Sequence, residues 1–112
     1  MQHHYAIARQ ETGDNFIRID IDLDDEGGLT MSDYCRGPAA EQCFGCDDIE
    51  SIVTLSPKAV ADLYEALTGL ESENPATDLA LLVQANKHDD TMAQSWLRSE
   101  CCQLGIRFDW HH

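Results

Sequence analysis

The sequence predicts an α+β domain: an antiparallel sheet of four to five strands with about three helices packed on one of its faces. Two observations carry the prediction. Period-two hydrophobic alternation dominates the first half of the chain, which marks strands with one apolar and one wet face. Capped segments with helical spacing fill most of the second half, and strands followed by helices make α+β rather than a wound parallel sheet.

From Asn15 to Asp24, Ile17, Ile19, Ile21 and Leu23 alternate with Arg18, Asp20, Asp22 and Asp24, which predicts a half-buried antiparallel strand. Tyr5 to Glu11 can pair with it across the turn residues Gly13-Asp14-Asn15. An acidic turn, Asp24 to Gly28, leads to a third strand over Leu29 to Tyr34, and Gly37 to Gly45, with Pro38 early, suits a short helical turn or two. Ile49 to Leu55 reads as a strand with Ile49, Val53 and Leu55 on one face and Ile52 on the other, hence central and covered on both sides. Ser56-Pro57 opens the best helix, whose Val60, Leu63, Tyr64 and Leu67 make an apolar stripe and whose stop is Gly69. A second helix is predicted from Asn74-Pro75 to about Lys87, and a third from Asp89 or Asp90 to Gly105. Ile106, Phe108 and Trp110 alternate with Arg107 and Asp109 in a closing strand. Trp96 and Trp110 lie on apolar stripes and read as core, whereas Tyr34 and Phe44 are the better candidates for an exposed aromatic anchor.

The 112 residues make one domain, 1–112. Twenty-one acidic against seven basic side chains leave a formal net charge of -14. Such a field disfavours direct binding to nucleic acid or to an anionic membrane and favours a basic protein partner. No run approaches the ~18 apolar residues of a membrane helix, and Met1 to Tyr5 lacks the regions of a signal peptide, so a cytoplasmic protein is expected. Five cysteines, an odd number, are expected to be reduced thiols. No function rests on His3, His4, His111 and His112, which stand in pairs at the two ends.

The acidic run is the first candidate site. Asp20 and Asp22 are expected to project together from the wet face of their strand and to continue into Asp24, Asp25 and Glu26. That ribbon of carboxylates can meet Arg and Lys side chains of a partner, with Asp47, Asp48 and Glu50 as a second patch; the plainer reading is a solvated outer face. Read as a calcium loop, Asp22, Asp24, Glu26, Gly27, Leu29 and Asp33 take the EF-hand positions, although its two helices are replaced by a strand and a glycine-proline segment. Cys43 and Cys46 have the spacing of half a zinc knuckle, with Cys35, Cys101, Cys102 or His88 as further ligands if the fold gathers them; small buried thiols are the plainer reading. His88 is the only internal histidine, and no nucleophile elbow, phosphate loop or HExxH is present, so neither enzyme chemistry nor a cofactor is expected.

The run Gly37 to Glu50, leading to Thr54, resembles small acidic bacterial proteins of uncharacterised function that carry Phe-Gly-acidic-acidic-aromatic-Glu before a strand and a helix. Here Phe44-Gly45 are followed by Cys46 in place of an acid and by Ile49 in place of the aromatic residue. Trp96-Leu97 and Gly105 to Trp110 resemble the ends of such proteins. At the level of class, size and charge resemble toxin-immunity proteins and phage anti-defence inhibitors, which implies an inhibitor acting by protein-protein interaction on a basic nuclease or nucleic-acid-binding effector. The alternatives are a metal-binding module, with calcium at 22–33 or zinc at the cysteines, and a self-associating housekeeping domain, a homodimer through an edge strand.

Overall fold

The computed structural model describes residues 3–45 and 48–112, and within these it leaves the side chains of Cys43 and Phe44 undescribed. Asp47, one of the candidate partner-binding acids, and Cys46 of the Cys43–Cys46 pair therefore lie outside the described residues. The elements run β1 (His4–Thr12), β2 (Asn15–Leu23), β3 (Leu29–Arg36), α1 (Pro38–Phe44), β4 (Asp48–Leu55), α2 (Pro57–Thr68), α3 (Pro75–Asn86), α4 (Ala93–Leu104) and β5 (Asp109–His111). The strands form one antiparallel sheet in the order β1-β2-β3-β4-β5, so the α+β class holds with five strands.

The β1–β2 connection is the two residues Gly13 and Asp14, with a positive φ at Gly13 only, the pattern of a type II′ hairpin loop. Gly37 is fixed by space as well as by its φ of 117°: a Cβ there would stand 2.3 Å from the carbonyl oxygen of Asp14. The tight approach lets the start of α1 pack on the end of the first hairpin, where Asn15 Oδ1 accepts the amide of Ala39 at 2.9 Å.

One face of the sheet presents Tyr5, Ile7, Ile19, Ile21, Leu23, Leu29, Met31, Val53 and Leu55 to the helices, and all are buried. They join Val60 and Leu63 of α2, Leu79 and Val83 of α3 and Leu97 and Cys101 of α4 in one apolar cluster. A β-bulge between Ala6 and Ala8 shifts the phase of β1. Tyr5, Ile7 and Ala8 all reach the core, and Arg9, which strict alternation would have sent inward, turns to the open face opposite Arg18. The outer edge of β1 is partly covered by the α3–α4 connection. The amide of Asp89 donates to Ile7 O at 3.0 Å and Gln84 Nε2 to Ala6 O at 3.1 Å, which removes pairing groups from an edge open to strand addition.

Two boundaries differ from the sequence expectation, each for a local reason. α4 begins at Ala93 rather than Asp89 or Asp90. Asp89 has a φ of 61°, outside the helical region, and Asp90 Oδ1 is spent on the amide of Met92 at 2.8 Å. The closing strand pairs only over Asp109–His111, because the amide of Ile106 closes the end of α4 on Cys101 O at 2.9 Å. Ile106 and Phe108 still pack against the core, half-buried, as their alternation predicted.

Candidate functional site

The acids of β2 lie on the open face of the sheet, as their alternation requires, but they are not free charges. Asp20 is only 8% exposed. Arg18 Nε reaches its Oδ2 at 2.9 Å, and His4 Nε2 lies 3.4 Å from its Oδ1. The other ring nitrogen of His4 is 2.8 Å from Asp22 Oδ1. That hydrogen bond, with the charges of Asp22 and Asp20, raises the His4 pKa against the opposing effect of burial, so the place between the two carboxylates favours the protonated ring.

The rest of the open face is a cation–aromatic lattice. Arg9 and Arg36 cover Phe16 at 5.2 and 5.1 Å from its centroid, and Arg18 lies 5.6 Å from that of Tyr34. Tyr34 is half-buried and meets Phe16 edge-on at 6.1 Å, so it is part of this lattice. Asp48 is paired in register with Arg36, and Glu50 with Tyr34. Both acids are exposed, but they lie toward the Arg36 end of the sheet, roughly 20 Å along the strands from the β2–β3 turn at the 3.4 Å rise of a strand. Glu50 nevertheless lines the same open-face concavity as Asp20 and Asp22, so it is the turn acids Asp24, Asp25 and Glu26 that stand apart from Asp48 and Glu50.

The turn gathers the remainder. Asp24 Oδ1 accepts the amides of Glu26 and Gly28, each at 2.8 Å, and these bonds lower the Asp24 pKa, so its charge is built into the turn. Asp25 and Glu26 are exposed. Across from them comes the α2–α3 connection. Together they form a cleft of ≈ 580 Å³ whose acids are Asp24, Asp25, Glu26 and Glu73, whose apolar floor includes Leu23, Pro57 and Pro75, and whose described lining contains no Lys or Arg. Glu73 escaped the sequence reading because it joins the acidic run only through the packing of α3. Its sole sequence signal is the Glu71-Ser72-Glu73 run before the helix start.

The calcium reading is corrected by the register. Asp22 pairs with Thr30 on the open face, whereas Asp33 pairs with Ile19 on the face toward the helices, so the first and last loop positions lie on opposite sides of the sheet. Among the described residues no three His, Cys, Asp or Glu side chains come together as metal ligands. Of the described thiols, Cys35 is half-buried on β3, Cys101 is buried in α4 and Cys102 is exposed. Burial pushes the Cys101 thiol up to about 11, which leaves it protonated and unreactive at neutral pH. His88 is exposed beside Asp89.

A second concavity, of ≈ 460 Å³, opens between β3, β4 and the first half of α4. The expectation that Trp110 is core is corrected here, since it is 44% exposed. β5 is a three-residue edge strand beyond the reach of the helices' apolar faces, so the ring lies on the Arg98 guanidinium at 3.9 Å instead. Its Nε1 donates to Ser51 Oγ at 2.8 Å, Ser51 Oγ donates to Gln94 Oε1 at 2.8 Å, and the buried Gln94 donates to the carbonyls of Ser51 and Met31 at 2.8 and 3.2 Å. Asp33 also lines this cleft, with its carboxyl pKa raised by burial against the weaker effects of the Cys35 thiol and Arg98.

Comparison of the chain with protein-family models, with curated proteins and with solved structures returned no match, so the functional reading rests on residues and geometry.

Proposed function

We propose that the protein is a non-enzymatic acidic binding module that blocks a basic surface of a nuclease or nucleic-acid-binding effector, as an immunity or anti-defence inhibitor does. The observation that carries the reading is the cleft at the β2–β3 turn, where Asp24, Asp25, Glu26 and Glu73 line one concavity together with His3 and without a Lys or Arg in the described lining. Carboxylates so placed accept the guanidinium or ammonium groups that a nucleic-acid-binding surface presents to phosphates, and the charge of -14 steers the encounter from a distance. Asp20, paired with Arg18, and Asp22, bonded to His4, contribute more to this field than to the contact, and Asp48 and Glu50 lie apart from the turn. No helix of the described residues is long and apolar enough to cross a membrane, and action in the cytoplasm fits such a target.

The test is capture of partners from the source cell or its phage-infected host at low salt, with identification of what high salt releases. A basic nuclease or effector that binds the parent chain and fails to bind Asp25→Lys/Glu26→Lys/Glu73→Lys supports the reading. Equal binding by the triple variant overturns it.

A further inference from the structure

The cleft beside α4 holds two opposite charges that do not meet. Asp33 lies on the core-facing phase of β3, after Leu29 and Met31, where burial disfavours its ionised form. Arg98 is the charge that acts on it, yet the pair is not within the 4.0 Å of an ion pair. Asp33 Oδ1 accepts the weak Cys35 thiol donor at 3.5 Å, and Arg98 has an unmet need of its own. One terminal nitrogen donates to Ser95 Oγ at 3.3 Å, while its Nε is buried with no acceptor. A buried donor without a partner costs about 1–3 kcal/mol, so its presence in a native site calls for an explanation.

Collapse of the cleft would have paired the two groups. The network of Trp110, Ser51 and Gln94 prevents it, since each of these side chains is already hydrogen-bonded and the frame between β4 and α4 is fixed. The remaining walls include the apolar Ile17, Ile49 and Met92, with Thr91 and His112 among the polar residues beside them, and the volume falls in the range of small-molecule sites. Trp110 covers Arg98 from β5, the shortest strand, and its ring is stacked on that of His112 at 4.6 Å between centroids.

We infer that this cleft binds a free α-amino acid with a large apolar side chain, its carboxylate on Arg98, its ammonium on the Asp33 side, and its side chain against Ile17, Ile49 and Met92. A simple carboxylate would satisfy Arg98 and confront Asp33, and a simple amine would do the reverse. A zwitterion answers both groups at once. The site is separate from the acidic cleft and does not depend on the function proposed for it.

The experiment follows the two indole N–H signals of the full-length protein in ¹H–¹⁵N spectra, assigned with Trp96→Phe, as L-phenylalanine and L-leucine are added. Saturable movement of the Trp110 signal is expected, with the Trp96 signal unmoved. N-Acetyl-L-phenylalanine, which lacks the ammonium, and phenethylamine, which lacks the carboxylate, should each bind about tenfold or more weakly, as should the parent ligands to Arg98→Gln or Asp33→Asn. If Arg98→Gln fails to fold for want of its stack on Trp110, Asp33→Asn, which lacks that contact, carries the test. No movement of the Trp110 signal up to about 10 mM amino acid, or equal binding of the two truncated analogues, overturns the proposal.

Discussion

Asp24 and Gly28 close the β2–β3 turn on each other. The Gly28 amide donates to Asp24 Oδ1 at 2.8 Å, and a Cβ added at Gly28 would stand 2.5 Å from Asp24 Oδ2 and 3.2 Å from the carbonyl oxygen of Leu55. The carboxylate that gives the acidic cleft one of its charges thus also holds the turn. Gly28→Ala is therefore expected to destabilise the protein by about 1–3 kcal/mol, the usual cost of an overpacked site, measured by urea unfolding. A stability equal to the parent's would mean that the turn relaxes without loss.

The same bonds set the acid response of the turn. Asp24 has a folded pKa below its unfolded one, so its contribution is present above the unfolded value near 3.8 and disappears as pH falls through the folded value. Asp24→Asn should lose stability relative to the parent at pH 6, and the difference should shrink below about pH 3. A difference that is constant across this range would remove ionisation from the account.

His4 behaves with the opposite sign. Its folded pKa lies above the ordinary 6.5, so the stabilisation from bridging Asp20 and Asp22 is complete below the unfolded pKa and is lost as pH rises through the folded one. NMR titration of His4 should give a midpoint above that of an exposed histidine, and Asp22→Asn should bring it down. The parent should lose stability relative to His4→Ala as pH rises above the ordinary 6.5 and through the folded midpoint. An unshifted His4 midpoint would mean that the bridge does not persist in solution.

How far these features were legible in the sequence depends on the distance over which each is determined. The alternation of Ile17 to Leu23 is a local property, and it located β2, its core face and the outward direction of Asp20 and Asp22. The neutralising partner Arg18, two residues from Asp20, shares that face by the same alternation. His4 was not legible, because its place beside Asp22 depends on the pairing of β1, whose phase the bulge at Ala6–Ala8 shifts. Asp33 carried a signal that the spacing to Asp22 concealed. Its phase is that of Leu29 and Met31, which marks a carboxyl aimed at the core, a fact at odds with a solvent-facing calcium loop. The meeting of Asp33 and Arg98 in one cleft, like that of Glu73 with the β2–β3 turn, arises from tertiary packing that no local pattern encodes.

Asp33 gives a prediction in which stability and binding diverge. Burial raises its folded pKa, so the fold is favoured while the carboxyl is protonated and loses stability as pH rises through the folded value. Asp33→Asn removes the cost of the buried charge and keeps a polar group of similar shape. At pH 7 it should unfold at a temperature equal to or above the parent's, with the gain vanishing toward pH 3. A clear fall in the midpoint at pH 7 would show that contacts within the protein, the Cys35 thiol included, offset the burial of the ionised carboxyl, and the case for a ligand cation beside it would fall.

The separation of the turn acids from Asp48 and Glu50 makes the last prediction, one about rates. If a basic partner seats on the β2–β3 turn, Asp25→Lys/Glu26→Lys changes the net charge by +4 from the parent's -14 to -10 and removes contact carboxylates. Asp48→Lys/Glu50→Lys makes the same change in net charge at the other end of the sheet. Long-range steering feels both pairs alike, whereas the bound complex feels only the pair it covers. Both double variants should therefore slow association at low salt by similar factors, and the difference from the parent should fade as salt shortens the Debye length to about 8 Å near 0.15 M. Only the turn variant should also speed dissociation, by about tenfold or more, since replacing a carboxylate that faces a partner's cation leaves like charges opposed. Stopped-flow association and surface-based dissociation with the captured partner would separate the two effects. Faster dissociation in the Asp48/Glu50 variant instead would move the contact to the β4 end of the open face, where Arg36, Tyr34 and Glu50 would then form its centre.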